Sequence, residues 1–266
     1  MTYPIGPPYD WDTLPATARD ALRSFVTHAA AVLDGNFVGL YLHGSLGRGC
    51  YHPAFSDVDL LVVTHGACGD DSIATLAAHR LPLDLHIHAV GVTRDQLRGD
   101  EVPTPAEFEL QTDSGGDHAL VGRRVRSGRG DLLLVRQDSY DCNTALAGAP
   151  VREVVRPVLW RALAASCDEL LPHLVPHFKN PVLMLCRVCY AFAHRALCSK
   201  VTAGEWAAQT FGAEWQQVIE SALVKYHDGL PDNTGETPEL RAFERYCLTL
   251  INTLRPVGGP QGHDAI

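Results

Sequence analysis

Two carboxylates and a Gly-Ser pair carry the chemistry this sequence can do. Asp57 and Asp59 stand two apart in Ser56-Asp57-Val58-Asp59, at the head of the apolar run Leu60-Leu61-Val62-Val63. On a strand, residues two apart point to the same face. Like charges on one face repel, and a divalent cation is the commonest reason to keep them there; oxygen ligands of this type suit magnesium. Upstream, Gly44 and Ser45 follow a second apolar run, with eleven residues between Ser45 and Asp57. They open a tight turn whose backbone N–H groups can meet a phosphate. A phosphate cradle beside metal carboxylates is the equipment for nucleotidyl transfer from a triphosphate. For Asp57 and Asp59 alone, the bland alternative is a solvated strand start.

A third carboxylate strengthens the first reading. Leu83-Asp84-Leu85-His86-Ile87-His88-Ala89-Val90 alternates in the manner of a half-buried strand. Asp84 joins Asp57 and Asp59 if the two strands are neighbours, either as second-metal ligand or as general base for an acceptor hydroxyl. Asp84-x-His86-x-His88 can also be read as a transition-metal site, but alternate strand residues lie about 7 Å apart, which is awkward for a single ion.

The elements that must position these groups follow from the pattern around them. A helix capped by Asp12 or Thr13, with Pro15 in its first turn, runs to about Leu33. Strands are expected over 37–43, 58–64 and 84–90, helices over 72–79 and 93–97, and a short strand near Glu109. Arg123, Arg124, Arg126 and Arg129 sit beside glycines and read as a solvated hairpin loop, with an anion site as the alternative. After Val151 the pattern turns helical, with four or five helices and no strand. Asn180 with Pro181 starts one that continues to about Leu197, Thr202 and Glu205 form a capping box for the next, and Thr237 with Pro238 starts the last, ending near Leu254. The expected fold is therefore an α/β N-terminal domain with a mixed sheet over 1–150 and an all-α helical bundle over 151–266, with a disordered tail from about 257. Ligands commonly bind between two such domains.

Composition narrows the partners. The chain has 266 residues, 46% hydrophobic and 20% charged, an ordinary globular balance. A net charge of −9 argues against broad nucleic-acid binding, which needs clustered Lys and Arg. The N-terminus Met1-Thr2-Tyr3-Pro4 lacks the basic and apolar segments of a signal peptide, and no run of about 18 apolar residues occurs. Eight scattered cysteines without framework spacing fit a reducing, cytoplasmic setting. Cys186-x-x-Cys189 has no second pair, which argues against zinc.

The Gly44-Ser45, Asp57-x-Asp59 and Asp84 pattern resembles the DNA polymerase β-like nucleotidyltransferase superfamily. The likeness extends further. Glu109-Leu110-Gln111, Asp131-Leu132-Leu133-Leu134, Ala145-Leu146-x-Gly148-x-Pro150, Cys186 to Tyr190, Cys198-Ser199-Lys200, Glu205-Trp206-Ala207 and Tyr226 resemble the streptomycin/spectinomycin (aminoglycoside) adenylyltransferase family, in that order. The resemblance implies AMP transfer from ATP to a hydroxyl of a small antibiotic-like molecule, with two magnesium ions bridged by Asp57 and Asp59. It also implies nucleotide contacts from Lys200 and Tyr226. Read without the resemblance, Lys200 is equally a solvent-facing helix-terminal charge and Tyr226 ordinary packing. The family's third carboxylate is a glutamate acting as base; here it is Asp84, one methylene shorter.

The family's acceptor-side tryptophans are missing. Thr112-Asp113-Ser114-Gly115 follows Glu-Leu-Gln, and Cys189 and His194 stand where streptomycin-modifying members carry a tryptophan and an acid. These departures argue against streptomycin and leave spectinomycin, another antibiotic or a metabolite. Two other readings stay open at this point: a nucleotidyltransferase acting on a protein or RNA, and a non-catalytic nucleotide-binding regulator. A cytoplasmic monomer with a small-molecule acceptor and no membrane partner is the expectation.

Overall fold

The computed structural model describes residues 16–51, 56–81, 85–112, 120–125, 131–231, 235 and 237–255. The expected cap at Asp12 or Thr13, the strand residue Asp84 and the tail from 257 lie outside them. The chain divides into two compact units, Met1–Val158 and Leu159–Ile266.

The first unit is built on a six-stranded mixed sheet. Its strands are β1 (Phe37–His43), β2 (Val58–Thr64), β3 (Ile87–Thr93), β4 (Phe108–Thr112), β5 (Leu120–Arg124) and β6 (Thr144–Gly148), in the order β5-β4-β3-β2-β1-β6. Only β2 and β3 run parallel; the other neighbouring pairs are antiparallel. A parallel pair needs a crossover, and α3 (Asp70–Ala77) supplies it.

β1 and β2 read as continuous apolar runs because both sheet faces are covered. On one face Leu40, Leu42, Leu60 and Val62 join Leu22 and Phe25 of α1 (Ala16–Leu33) and Ile73 and Leu76 of α3. On the other, Tyr41, Leu61, Val63, Val90 and Val92 join Leu132 of α4 (Leu132–Cys142) and Val151 and Val154 of α5 (Val151–Val154). The compact unit continues past the composition shift at 148–150 because these valines close the second face. Val158 N–H also donates to Gln137 Oε1 at 2.8 Å, within the same unit.

The second unit is helical among its described residues: α6 (Trp160–His177), α7 (Pro181–His194), α8 (Lys200–Thr210), α9 (Ala213–His227) and α10 (Pro238–Leu254). The apolar α7 is buried along most of its length and packs on α8 and α10, where Phe243, Cys247 and Ile251 face inward. Three sequence expectations need correction. Pro181 opens α7 as expected, but the Asn180 side chain makes no capping bond, and the helix stops at His194 because Arg195 turns left-handed at φ 52°. The cap of α8 is Ser199, whose Oγ accepts the Thr202 N–H at 3.0 Å, so the Thr202/Glu205 box lies one turn inside the helix. Arg123 and Arg124 belong to the edge strand β5 rather than to a loop.

Candidate active site

Antiparallel pairing sets His43 of β1 opposite Asp59 of β2, so the chain leaves β1 beside the carboxylate pair. Gly44 begins the single turn α2 (Gly44–Gly47) at φ +68°, a backbone region that favours glycine. The missing side chain matters as much as the dihedral, because a Cβ built on Gly44 would overlap Asp59 Oδ2. The Gly-Ser turn and the Asp-x-Asp strand are thus one steric unit. Asp57 is exposed just before β2, and the Asp59 side chain retains 26% exposure. Both carboxylates stand at the solvent end of an otherwise buried strand.

The turn is held from beneath by a residue the sequence did not single out. Asp138 of α4 is buried, and its Oδ2 accepts the Gly44 N–H at 2.7 Å. Its Oδ1 accepts hydrogen bonds from Arg48 Nε and Nη2, and Arg48 Nη2 also stands 3.5 Å from Asp141 Oδ2. Burial works against the Arg48 charge, and the acidic groups around it, Asp138 first and then Cys142 and Asp141, together more than offset it, raising the Arg48 pKa. Burial pushes the Asp141 carboxyl up and the Cys142 thiol well up. The Gly44 amide is thus engaged by Asp138, and Arg48 by both acids.

Asp84 lies outside the described residues. In the parallel register the residue of β3 beside Asp59 is His88, and Val58 N–H donates to the His86 carbonyl at 2.7 Å. His88 Nδ1 stands 3.6 Å from Asp59 Oδ1, and its Nε2 bonds Glu109 Oε1 of β4 at 2.7 Å. Glu109 is 5% exposed, and its Oε2 accepts Arg123 Nε at 2.7 Å as well as Arg123 Nη2. A charged and polar chain thus runs from β5 through β4 and β3 to the Asp pair. Strand alternation places His86 and His88 on one face, but nothing in the sequence signalled that Glu109 would meet His88.

Among the described residues no group of three His, Cys, Asp or Glu side chains is assembled that could hold a metal ion. Asp57 and Asp59 still fit magnesium in one respect. That ion is commonly held by one or two carboxylates and completed by substrate phosphates rather than enclosed by protein.

In the second unit the structure brings Lys200 and Tyr226 together, with Lys200 Nζ 5.2 Å from the Tyr226 ring centroid. Lys200 opens α8, where the helix dipole disfavours a cation. The preceding Cys198 carbonyl accepts Arg187 Nε at 2.9 Å, which ties the start of α8 to α7. Cys189 is fully buried, and its thiol points at the Cys247 carbonyl, 3.9 Å away. His194 is exposed and lies against Tyr190 and Trp206, with ring centroids 4.2 and 5.4 Å away.

Residues 33–90, which hold the turn and the carboxylate pair, match the nucleotidyltransferase domain. Residues 151–249 match the C-terminal domain of aminoglycoside adenylyltransferases. The spectinomycin 9-adenylyltransferase of Campylobacter jejuni is 18% identical over 246 residues, spanning 88% of this chain and 93% of that protein. The aminoglycoside (3'') (9) adenylyltransferase of Klebsiella pneumoniae is 26% identical over 233 residues, or 80% and 87% of the two chains. The fold matches the crystal structure of the spectinomycin adenyltransferase AAD(9) from Enterococcus faecialis with ATP and spectinomycin. The TM-score is 0.68 at 17% identity, covering 88% of this chain and 98% of that one. With matches to both halves and relatives aligned along most of its length, the chain is similar to the aminoglycoside adenylyltransferases and is an adenylyltransferase.

Proposed function

We propose that the enzyme transfers AMP from ATP to a hydroxyl of a small antibiotic, an aminocyclitol such as spectinomycin, and that it does so with magnesium, as a cytoplasmic monomer, giving resistance. The observation that carries this reading is the fit of the Asp59 carboxylate into the space left by the missing Gly44 side chain. The acceptor oxygen attacks the α-phosphorus, the bond to the bridging oxygen breaks, and pyrophosphate leaves with the electron pair. Asp57 and Asp59 would hold the metal, which would supply charge neutralisation at the phosphoryl oxygens. Ser45 meets the phosphates, and Asp138 keeps the turn in place. Asp84 takes the acceptor proton or holds a second ion. Lys200 binds the triphosphate and Tyr226 packs near it. The rest is in-line positioning in a site prepared beforehand.

The names of the relatives support the acceptor class. The burial of Cys189 bears on its finer identity. The position that resembles a tryptophan site of streptomycin modifiers holds a thiol turned into the α7–α10 contact, so it offers no aromatic surface to an acceptor. The test is mass spectrometry of spectinomycin, streptomycin and other antibiotics incubated with protein, ATP and magnesium. The expected product is spectinomycin carrying one AMP. Asp57→Asn and Asp59→Asn should each abolish it, and the exposed Asp57→Asn should shift stability by no more than about 0.5 kcal/mol, as for surface changes. No AMP-bearing product from any antibiotic would reject the acceptor class, and parental turnover by both variants would reject the assigned site.

A further inference from the structure

We propose that His88 is a metal ligand of this enzyme, its Nδ1 sharing one ion with Asp59, and that Glu109 is the residue that aims it. The inference rests on the reading above that Asp57 and Asp59 hold a divalent cation. It begins with a buried carboxylate that this reading does not use. Glu109 is 5% exposed as the second residue of β4, where a carboxylate costs desolvation that an apolar side chain would not. Two of its partners are Arg123 and His88. Arg123 balances its charge from one side, and His88 Nε2 meets it from the other at 2.7 Å.

A carboxylate can only accept, so the Nε2 proton of His88 points at Glu109. The other ring nitrogen, Nδ1, faces Asp59 Oδ1 at 3.6 Å. Two donors on one ion, each about 2.0–2.1 Å from it, can be up to about 4.2 Å apart, so this separation suits a shared ion. An imidazole whose far nitrogen donates to a carboxylate is the usual support for a metal-binding histidine. The parallel register of β2 and β3 makes the pairing possible, because it sets Asp59 and His88 side by side. With Asp59 and His88 providing two donors, substrate phosphates complete the shell. A nitrogen donor shifts preference from magnesium toward manganese.

Pulsed EPR of the full-length protein with Mn²⁺ and α,β-methylene-ATP tests this without turnover. The parent should show electron-spin-echo modulation from one ¹⁴N nucleus, replaced by a ¹⁵N pattern when the histidines are ¹⁵N-labelled. His88→Gln should lose that signal and His86→Gln should keep it. Glu109→Gln should keep the signal and weaken Mn²⁺ binding about 10-fold, the lower end for loss of a supporting partner. Mn²⁺ that binds in an Asp59-dependent way without histidine modulation overturns the inference and leaves AMP transfer standing. That result would make the pair a direct imidazolium–carboxylate contact. A signal that survives His88→Gln overturns it equally. No Mn²⁺ binding by the parent overturns the inference together with the metal assignment of Asp57 and Asp59.

Discussion

Asp138→Ala is the most informative single change in the first unit, because one carboxylate holds both ends of the turn. Its Oδ2 accepts the Gly44 N–H at 2.7 Å and its Oδ1 accepts two donors of Arg48. Removing one partner of a buried ion pair costs about 3–5 kcal/mol, mostly because the other charge is left without compensation. Here the Arg48 side chain keeps 17% exposure and has Asp141 at 3.5 Å, so the lower end applies. About 3 kcal/mol corresponds to a fall in Tm of about 6–12 °C for a unit of this size. Differential scanning calorimetry measures it, and ATP titration should show weaker binding as the Gly44–Gly47 turn loosens. The double variant Arg48→Met/Asp138→Ala removes the stranded charge and should regain more than about 1 kcal/mol, a coupling expected of residues in contact. A Tm within about 2 °C of the parent for Asp138→Ala would refute the reasoning and leave the turn self-supporting.

Three further outcomes test other parts of the reading. Asp84→Asn should bind ATP normally while kcat falls about 10²- to 10⁴-fold, the usual range for a positioned base, whereas Asp84→Glu retains activity if the site admits one more methylene. Parental kcat in Asp84→Asn would make Asp84 a structural residue. Lys200→Ala should weaken ATP binding by about 1.5–3 kcal/mol in calorimetry with magnesium; an unchanged titration would place Lys200 outside the nucleotide site. His79 gives a pH dependence: burial first, and then the neighbouring His28, lower its pKa below the ordinary 6.5. The fold therefore favours neutral His79, so stability is kept above pH 6.5 and declines as pH falls below it. Thermal melts between pH 7.5 and about 5 should show this decline, and His79→Leu should flatten it; identical slopes for the two proteins would assign the decline to other groups.

The two strands that frame the carboxylate pair were legible because their apolar runs are buried on both faces: β1 and β2 begin and end where the sequence placed them. β6 was not legible. Thr144-Ala145-Leu146-Ala147-Gly148 has weak strand preference, and it is a strand because β1 offers it an unpaired edge. β5 was taken for a loop because its arginines looked solvated, yet they pair with Glu109, Asp70 and Glu107 from the edge of the sheet. The cap of α8 was misplaced by one turn because two Ser/Thr residues three apart both fit the pattern, and only Ser199 has the extended backbone of a cap. At the candidate site, local spacing singled out Gly44, Ser45, Asp57 and Asp59. It did not single out the residues that hold them, since Asp138 reaches Gly44 across 94 positions and Glu109 reaches His88 across 21.

The strut from α4 also sets an order of events during synthesis. A nascent chain of about 60 residues already contains Gly44, Ser45, Asp57 and Asp59. β1, however, lies between β2 and β6, and the Gly44 amide waits for Asp138. The Asp138 contact and both neighbours of β1 are thus all present only once about 148 residues are available. A ribosome-bound chain shorter than this carries every motif residue of the Gly-Ser/Asp-x-Asp pair without the part that fixes their geometry. The nucleotide site therefore matures late, although its signature is translated early.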